Sequence, residues 1–354
     1  QKFREKPKPG WATYHRWPNV AGARIGFNFL EKYCAMGIDA IKAEFKREVE
    51  AYVTPTYGDV AFKANPAKNS DNNLMSCLDE SRVELVDRRY INASWAYDLQ
   101  RVTHKYILTQ IPPTGCVDDL YQMAFEQNAR CMFVFSEEAK ESAPSAAPPP
   151  PRVEFWPALG STGAVRTRDG LEVSRDFPDI PGPLSFWLED GTVMLLSQSG
   201  ERTYTTGTFR KKKHVVLTEK RVVIPFCHSY GKWDVEKARD MLVNIAKFEG
   251  LRCTEADRPI LLVDDHSGTS KAAMLVVIDV MGTLLYNGEQ GVTLPAVVKW
   301  VRRCRNGAIR NEDEYLLVVQ SIFYILSKKF DMSNKTYKDD VLKLIEFGGA
   351  KKKE

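Results

Sequence analysis

The sequence predicts an α/β domain with N-terminal helices and one long decorating loop. Short runs rich in β-branched and aromatic residues alternate with stretches of helical period. One buried-type run, Ile260–Val263, passes through a turn of small and polar residues straight into a helix. The 354 residues are 44% hydrophobic and 27% charged, ordinary globular values that exclude extensive disorder and fibrous repeats. That length allows one or two domains, and the lack of an internal repeat favours one.

Along the chain, residues 1–27 form an arm whose first part is rich in Lys, Pro and Trp (Trp11, Trp17), expected either to pack through its indoles or to stay mobile. The main domain is placed at 28–335. Phe29, Leu30, Tyr33, Met36, Ile38, Ile41, Phe45 and Val49 recur at spacings near three and four, so a helix is expected from Asn28 to Val53, before Pro55. Residues 54–80 read as a polar loop. Strands are expected at Ser81–Leu85, Tyr106–Gln110, Cys131–Ser136, Val193–Leu196, Thr203–Phe209, Val215–Thr218 and Arg221–Phe226. Val117–Asn128 is amphipathic and helical in pattern. Residues 142–151 read SAPSAAPPPP, a proline-rich insertion that fits a polyproline-like surface loop and excludes helix or central strand. After the Ile260 run, helices are expected near Lys271–Tyr286, Pro295–Arg305 and Glu312–Lys329, and residues 336–354 form a terminal helix or tail ending in three lysines.

Charge and cysteine usage narrow the partners. Fifty basic against 46 acidic residues leave a net charge of +4, far from the basic excess of a dedicated nucleic-acid binder. Seven cysteines are scattered singly with no CxxC pair, as expected of reduced thiols in a cytoplasmic or cortical protein. No run of 18 apolar residues occurs, and no secretory signal is visible behind the basic first ten residues. The five histidines show no metal-ligand spacing, so neither a metal nor another cofactor is expected.

The most informative segment is Asp264-Asp265-His266-Ser267-Gly268-Thr269-Ser270-Lys271. A strand, a small-residue turn and a helix start converge backbone N–H groups on one point, and the helix dipole makes that point suit an anion. A Walker loop fails, because Gly268 is the only glycine present. A phospho-accepting receiver domain would need a second aspartate on a later strand, and Asp279 falls within the same helix.

The flanking segments match a third design. Ser81-Arg82-Val83-Glu84-Leu85 with Tyr90-Ile91-Asn92-Ala93-Ser94 resembles the SRVxL…YINAS segment of protein tyrosine phosphatases. Tyr106 to Pro112 resembles their YIATQGP strand and turn, Val117 to Asn128 their TVEDFWRMVWEQ helix, and Phe155-Trp156-Pro157 their YWP. The likeness runs in order over residues 30–330 and implies one phosphatase-like domain, with a mixed, highly twisted central sheet flanked by helices and an N-terminal helical extension.

The same resemblance implies that the catalytic set has changed. Family members attack phosphorus with the cysteine of an HCxxGxxR loop and clamp the phosphate with its arginine. Counting back without gaps from Ile278-Asp279, Asp264 falls at the His and Asp265 at the Cys, Gly268 keeps the glycine, and Lys271 replaces the Arg. A carboxylate at about 4 Å from a phosphate charge is repelled by about 4 kcal/mol per unit pair at an effective dielectric of about 20. Lysine keeps one charge and loses the planar fork. In place of the WPD acid loop stands His228 to Asp234, with Trp233 and Asp234 but no proline. The QTxxQY motif reads Arg310-Asn311-Glu312-Asp313-Glu314-Tyr315, and the ring-clamping NRYxD loop falls near Ser70-Asp71-Asn72-Asn73-Leu74 with no tyrosine. An aspartyl-phosphate route through Asp265 lacks the second acid two residues on, where Ser267 stands. Asp264 and Asp265 are expected instead to cap the loop or pair with Lys271, with His266 in local hydrogen bonds.

The functional expectation is therefore a pseudophosphatase that binds a protein partner, through Asp264, Asp265, His266, Ser267, Gly268, Thr269, Ser270 and Lys271 together with Asp234, Arg310 and Asn72. A tyrosine- or phosphotyrosine-containing segment, such as a kinase activation loop, is the implied ligand, held so that the kinase is inhibited or sequestered. The pattern of loss resembles the nematode oocyte pseudophosphatases, which restrain a DYRK-type kinase in this way. Two rivals remain open at this point: weak or altered phosphatase activity, and a scaffold that binds through the proline-rich loop and the Arg210–His214 basic run. Arg302, Arg303 and Arg305 either compensate a helix C-terminus or line the old groove with Arg310.

Overall fold

A computed structural model of the protein describes residues 20–55, 58–70, 75–96, 105–113, 115–129, 131–136, 165–166, 168, 172–175, 191–206, 212–230, 232–251, 258–328, 339 and 343. Eight strands form one sheet: β1 (Ala93–Ala96), β2 (Tyr106–Gln110), β3 (Cys131–Ser136), β4 (Val165–Arg166), β5 (Glu172–Arg175), β6 (Gly191–Thr206), β7 (Lys212–Tyr230) and β8 (Ile260–Asp264). Their order is β1-β2-β8-β3-β7-β6-β5-β4. The central strands β2, β8, β3 and β7 run parallel, and both flanks are antiparallel, so the sheet is mixed.

Strands β2, β3 and β8 are buried on both faces, which is why they read as continuous apolar runs. Strand alternation divides their side chains. Tyr106, Leu108, Phe133, Phe135, Ile260 and Leu262 face one core, and Ile107, Met132, Val134, Leu261 and Val263 face the other. The second core is covered by helix α3 (Val117–Glu126) and by Val83 and Leu85. The first is covered by α1 (Val20–Glu44), α4 (Val235–Leu251), α5 (Lys271–Asn287), α6 (Leu294–Cys304) and α7 (Glu312–Ser327); a short α2 (Val60–Ala64) precedes the sheet. Helix α5 is buried from Lys271 to Tyr286 because α1, α6 and α7 surround its outer faces while β8 and β2 lie beneath.

Several expectations are corrected. Helix α1 starts at Val20, ahead of the expected Asn28, breaks at Gly37 (φ 71°), and continues as a π-helical turn, Phe45–Glu50. Ser81–Leu85 is not a strand; its one pairing is an isolated bridge from Arg82 to Ser94. The four strands expected between 193 and 226 are the two long strands β6 and β7, joined in register from Gly191–Cys227 to Thr206–Lys212. Helices α2 and α4 and strands β1, β4 and β5 were not anticipated as elements, and α2 and a 3₁₀ turn, Pro66–Lys68, fall within the stretch 54–80 read as a loop. The proline-rich segment, Phe155-Trp156-Pro157, Asn72, and Arg210 and Lys211 of the basic run lie outside the described residues.

A buried carboxylate locks α1 to α7. Glu44 is 5% exposed. Its Oε2 accepts from the Tyr33 hydroxyl at 2.9 Å and the Tyr315 hydroxyl at 2.7 Å, while Lys32 Nζ donates to Oε1 at 3.1 Å. Burial, with the neighbouring carboxylate, pushes both phenols above their usual range. Glu44→Leu is expected to lower stability by about 2 kcal/mol or more, since each stranded buried hydroxyl costs about 1–3 kcal/mol. Loss of half-exposed Lys32 should cost under about 1 kcal/mol. Urea denaturation midpoints of the two variants check the order.

Candidate functional site

Strand β8 ends between β2 and β3, with Asp264 paired to Gln110 on one side and Phe135 on the other. The chain then turns at the carboxyl end of the parallel strands and enters α5, a crevice where open α/β sheets bind ligands. The turn holds itself. Ser267 N–H donates to Asp264 O (3.1 Å), Thr269 N–H to His266 O (3.1 Å), and Thr269 Oγ1 to the same carbonyl (2.6 Å). Gly268 has φ 74°, and a Cβ there would meet Thr109 N at 3.0 Å, so both conformation and space require glycine. Ser267 beside it also has a positive φ of 58°.

The two adjacent aspartates have opposite fates. Asp264 is fully buried; its Oδ1 accepts the His266 N–H at 2.6 Å and its Oδ2 accepts the Ala272 N–H at 2.9 Å. The carboxylate thus sits at the N-terminus of α5, on the positive end of the helix dipole. Burial, followed by the charge of Asp265, pushes the Asp264 carboxyl up to about 6, against the pull of the two amides. Asp265 lies at the surface of the turn, 22% exposed, with Oδ1 2.9 Å from His266 Nδ1. That bond is the main cause raising the His266 pKa, opposed by burial.

The remaining predicted residues are drawn into separate jobs. Lys271 is buried, and its Nζ donates to Ser136 O at 3.2 Å at the end of β3. Ser270 Oγ donates to Glu314 Oε1 (2.7 Å), and Glu314 Oε2 accepts the Arg310 N–H (2.7 Å), with Arg310 Nε 3.6 Å from Oε1. Asp234 is exposed, and its Oδ1 caps α4 by accepting the Glu236 N–H at 2.8 Å. Trp233 anchors that corner, with Nε1 donating to Ser321 Oγ at 2.9 Å and its ring 6.3 Å from Phe135. Ser70 reaches the turn, its Oγ 3.3 Å from Ser267 Oγ.

Arg302 and Arg305 do not line a groove. Arg305 is 1% exposed and joins the turn to β1: Nε donates to Ser267 O (2.7 Å), Nη1 to Ser94 Oγ (3.0 Å) and Nη2 to Asn92 Oδ1 (2.7 Å). Arg302 donates to Ala308 O, Val49 O and Ile309 O at 2.8–2.9 Å. Arg302 lies on the last turn of α6 and Arg305 is its C-cap, and both turn inward, a signal hidden by reading the arginines as helix-end charge. Exposed Arg303 donates to Tyr52 Oη.

Asp264, Asp265 and His266 also bring ligand atoms within 4.8 Å of one another, a metal-type grouping that histidine spacing alone does not reveal. Both Asp264 oxygens already accept backbone amides. Among the described residues, no helix is long and apolar enough to cross a membrane.

The sequence model of the protein-tyrosine phosphatase family matches residues 65–161 and 186–324. The chain belongs to the protein-tyrosine phosphatase family. Tyrosine-protein phosphatase non-receptor type 13 of mouse is 24% identical over 268 residues, and the human protein is 24% identical over 271. These matches cover 75% of this chain and 10% of those much longer relatives. The crystal structure of the Trypanosoma cruzi protein tyrosine phosphatase TcPTP1 superposes with a TM-score of 0.60 at 17% identity, covering 89% of this chain and 98% of that one. This is the fold of a single phosphatase-like domain, as the motif order implied. In this phosphatase domain the described turn between β8 and α5 lies inside the matched region.

Two measurements follow. Arg305→Ala strands three buried acceptors and is expected to cost about 3 kcal/mol or more, at about 1–3 kcal/mol each, and Arg305→Lys should not restore it because the fork is lost; urea titration reads both. For Asp264 the folded carboxyl is raised from 3.8 to about 6, so its contribution is present at low pH and is lost as pH rises through about 6. His266, also raised, acts in the same direction from 6.5 upward. Stability should therefore fall as pH climbs through this window, and Asp264→Asn should flatten the part between 3.8 and 6, measured as melting temperature against pH.

Proposed function

We propose that this phosphatase-family domain is catalytically inactive and works as a binding and regulatory module. Its ligand is a tyrosine- or phosphotyrosine-containing segment of a partner, such as a protein kinase activation loop, which it holds and so inhibits or sequesters. The observation that carries the reading is the turn itself. At the position aligned with the family's thiol stands Asp265, bonded to His266, and the lysine aligned with the phosphate-clamping arginine gives its ammonium to Ser136 O.

The supporting groups agree. A carboxylate that shares a hydrogen bond with His266 is a weak in-line nucleophile and repels an incoming phosphate. Asp234, aligned with the general acid, is used as a helix cap. Glu314, aligned with a water-positioning glutamine, is bonded to Ser270 and Arg310. Each part needed for phosphoryl transfer is thus either replaced or engaged, while the fold that presents a tyrosine-docking surface persists.

With p-nitrophenyl phosphate as substrate, the wild-type domain and Asp265→Ala should both show hydrolysis no faster than a buffer blank. Turnover by the wild type that Asp265→Ala abolishes would make it an enzyme with an altered nucleophile. A peptide array of tyrosine-centred and phosphotyrosine-centred sequences should bind the wild type, and binding should weaken by about tenfold or more in Asp265→Ala with Arg310→Ala, about 1.4 kcal/mol or more.

A further inference from the structure

We infer that the turn between β8 and α5 carries its own anion, the Asp264 carboxylate, and therefore refuses oxyanions and accepts an unphosphorylated tyrosine hydroxyl. This deepens the docking reading above and rests on it for the site, though not for the choice of ligand.

Three observations point the same way. A helix N-terminus with a tight turn before it attracts an anion because N–H groups and the dipole converge there. Here two of those N–H groups, of His266 and Ala272, are already taken by Asp264, from inside the fold and at full burial. The seat is filled by a side chain fixed to the strand that forms the turn, so no ligand concentration competes it away without breaking β8 from α5.

The second observation concerns the compensating cations. Lys271 is drawn to Ser136 O, and Arg310 lies beside its own Glu314. Neither is arranged as a fork around a bound phosphate.

The third concerns what the turn shows to solvent. Of its eight residues, Asp265 and His266 are the ones left partly exposed, at 22% and 24%, while the others are buried. A ligand approaching the turn meets a carboxylate and an imidazole bonded to it. A carboxylate accepts several hydrogen bonds at once, so a phenol O–H can donate to Asp265. A phosphate in the same place would put a dianion against that carboxylate, in a partly desolvated crevice where like charges repel strongly.

The test uses small probes on the isotopically labelled full chain, followed by amide NMR shifts. N-acetyl-tyrosinamide, its O-phospho form and tungstate are titrated in parallel. The account expects N-acetyl-tyrosinamide to move the Asp265 and His266 amides, and the phospho form and tungstate to bind at least about tenfold more weakly, a gap of about 1.4 kcal/mol. Asp264→Asn and Asp264→His, with their spectra first confirming the fold, should gain tungstate binding, because the turn loses its built-in negative charge and at least one of the two amides loses its acceptor. Tighter binding of the phospho form or of tungstate to the wild type overturns this inference and leaves the docking reading standing. A turn in which folded Asp264 variants gain no oxyanion binding overturns the assigned role of Asp264. If no probe moves the turn in any form of the protein, both the inference and the docking reading fail. Should both variants fail to fold, the wild-type ranking alone still decides for or against.

Discussion

The carboxylate of Asp264, fully buried and bonded to the amides of His266 and Ala272, is the interaction on which this site depends. It joins the end of the central strand β8 to the start of the central helix α5, and those two elements occupy the middle of the sheet and the middle of the helical layer. A helix start aimed into a crevice leaves donors that must be satisfied, by solvent, ligand or side chain. In this protein the sequence supplies the acceptor. The resulting turn is braced where it leaves the strand and where it enters the helix.

The rest of the site is built around that fixed turn. Arg305 holds it from below by donating to Ser267 O while gripping β1 through Asn92 and Ser94. The Ile309 N–H bonds Thr269 O at 2.8 Å, and Ser270 bonds Glu314, so the loop between α6 and α7 closes over the other side. These contacts explain how the fold holds the turn's path with Asp265 at its surface. The packing elements and the supporting arginine do not depend on a thiol at position 265; they depend on the turn keeping its path.

Much of the fold was legible because its central elements are simple. Tyr106–Gln110, Cys131–Ser136 and Ile260–Val263 read as strands since both faces are buried, and Lys271–Tyr286 as a helix since it is apolar all round. Ala93–Ala96 was not legible, because its four small or isolated side chains carry no period of two. The four short strands proposed between 193 and 226 became two long ones, since polar residues along β6 and β7 interrupt a hydrophobic pattern without interrupting pairing. For the site, the sequence placed Asp264 and Asp265 side by side as equals. Only the fold separates them, because alternation along β8 turns Asp264 inward to the helix start, while Asp265 lies past the strand, in the turn at the surface. Arg305 was likewise invisible as a support, since its partners Asn92, Ser94 and Ser267 are far away along the chain and meet it only in three dimensions.

The central claim is that the His266 and Ala272 amides are satisfied from within by Asp264, and native-state amide hydrogen exchange on the ligand-free protein tests it most directly. The account predicts that the His266 and Ala272 amides exchange as slowly as those of the neighbouring buried strand β8, opening only with the strand and helix they join. Exchange of either amide at the rate of a solvent-exposed loop, while β8 stays protected, would contradict it.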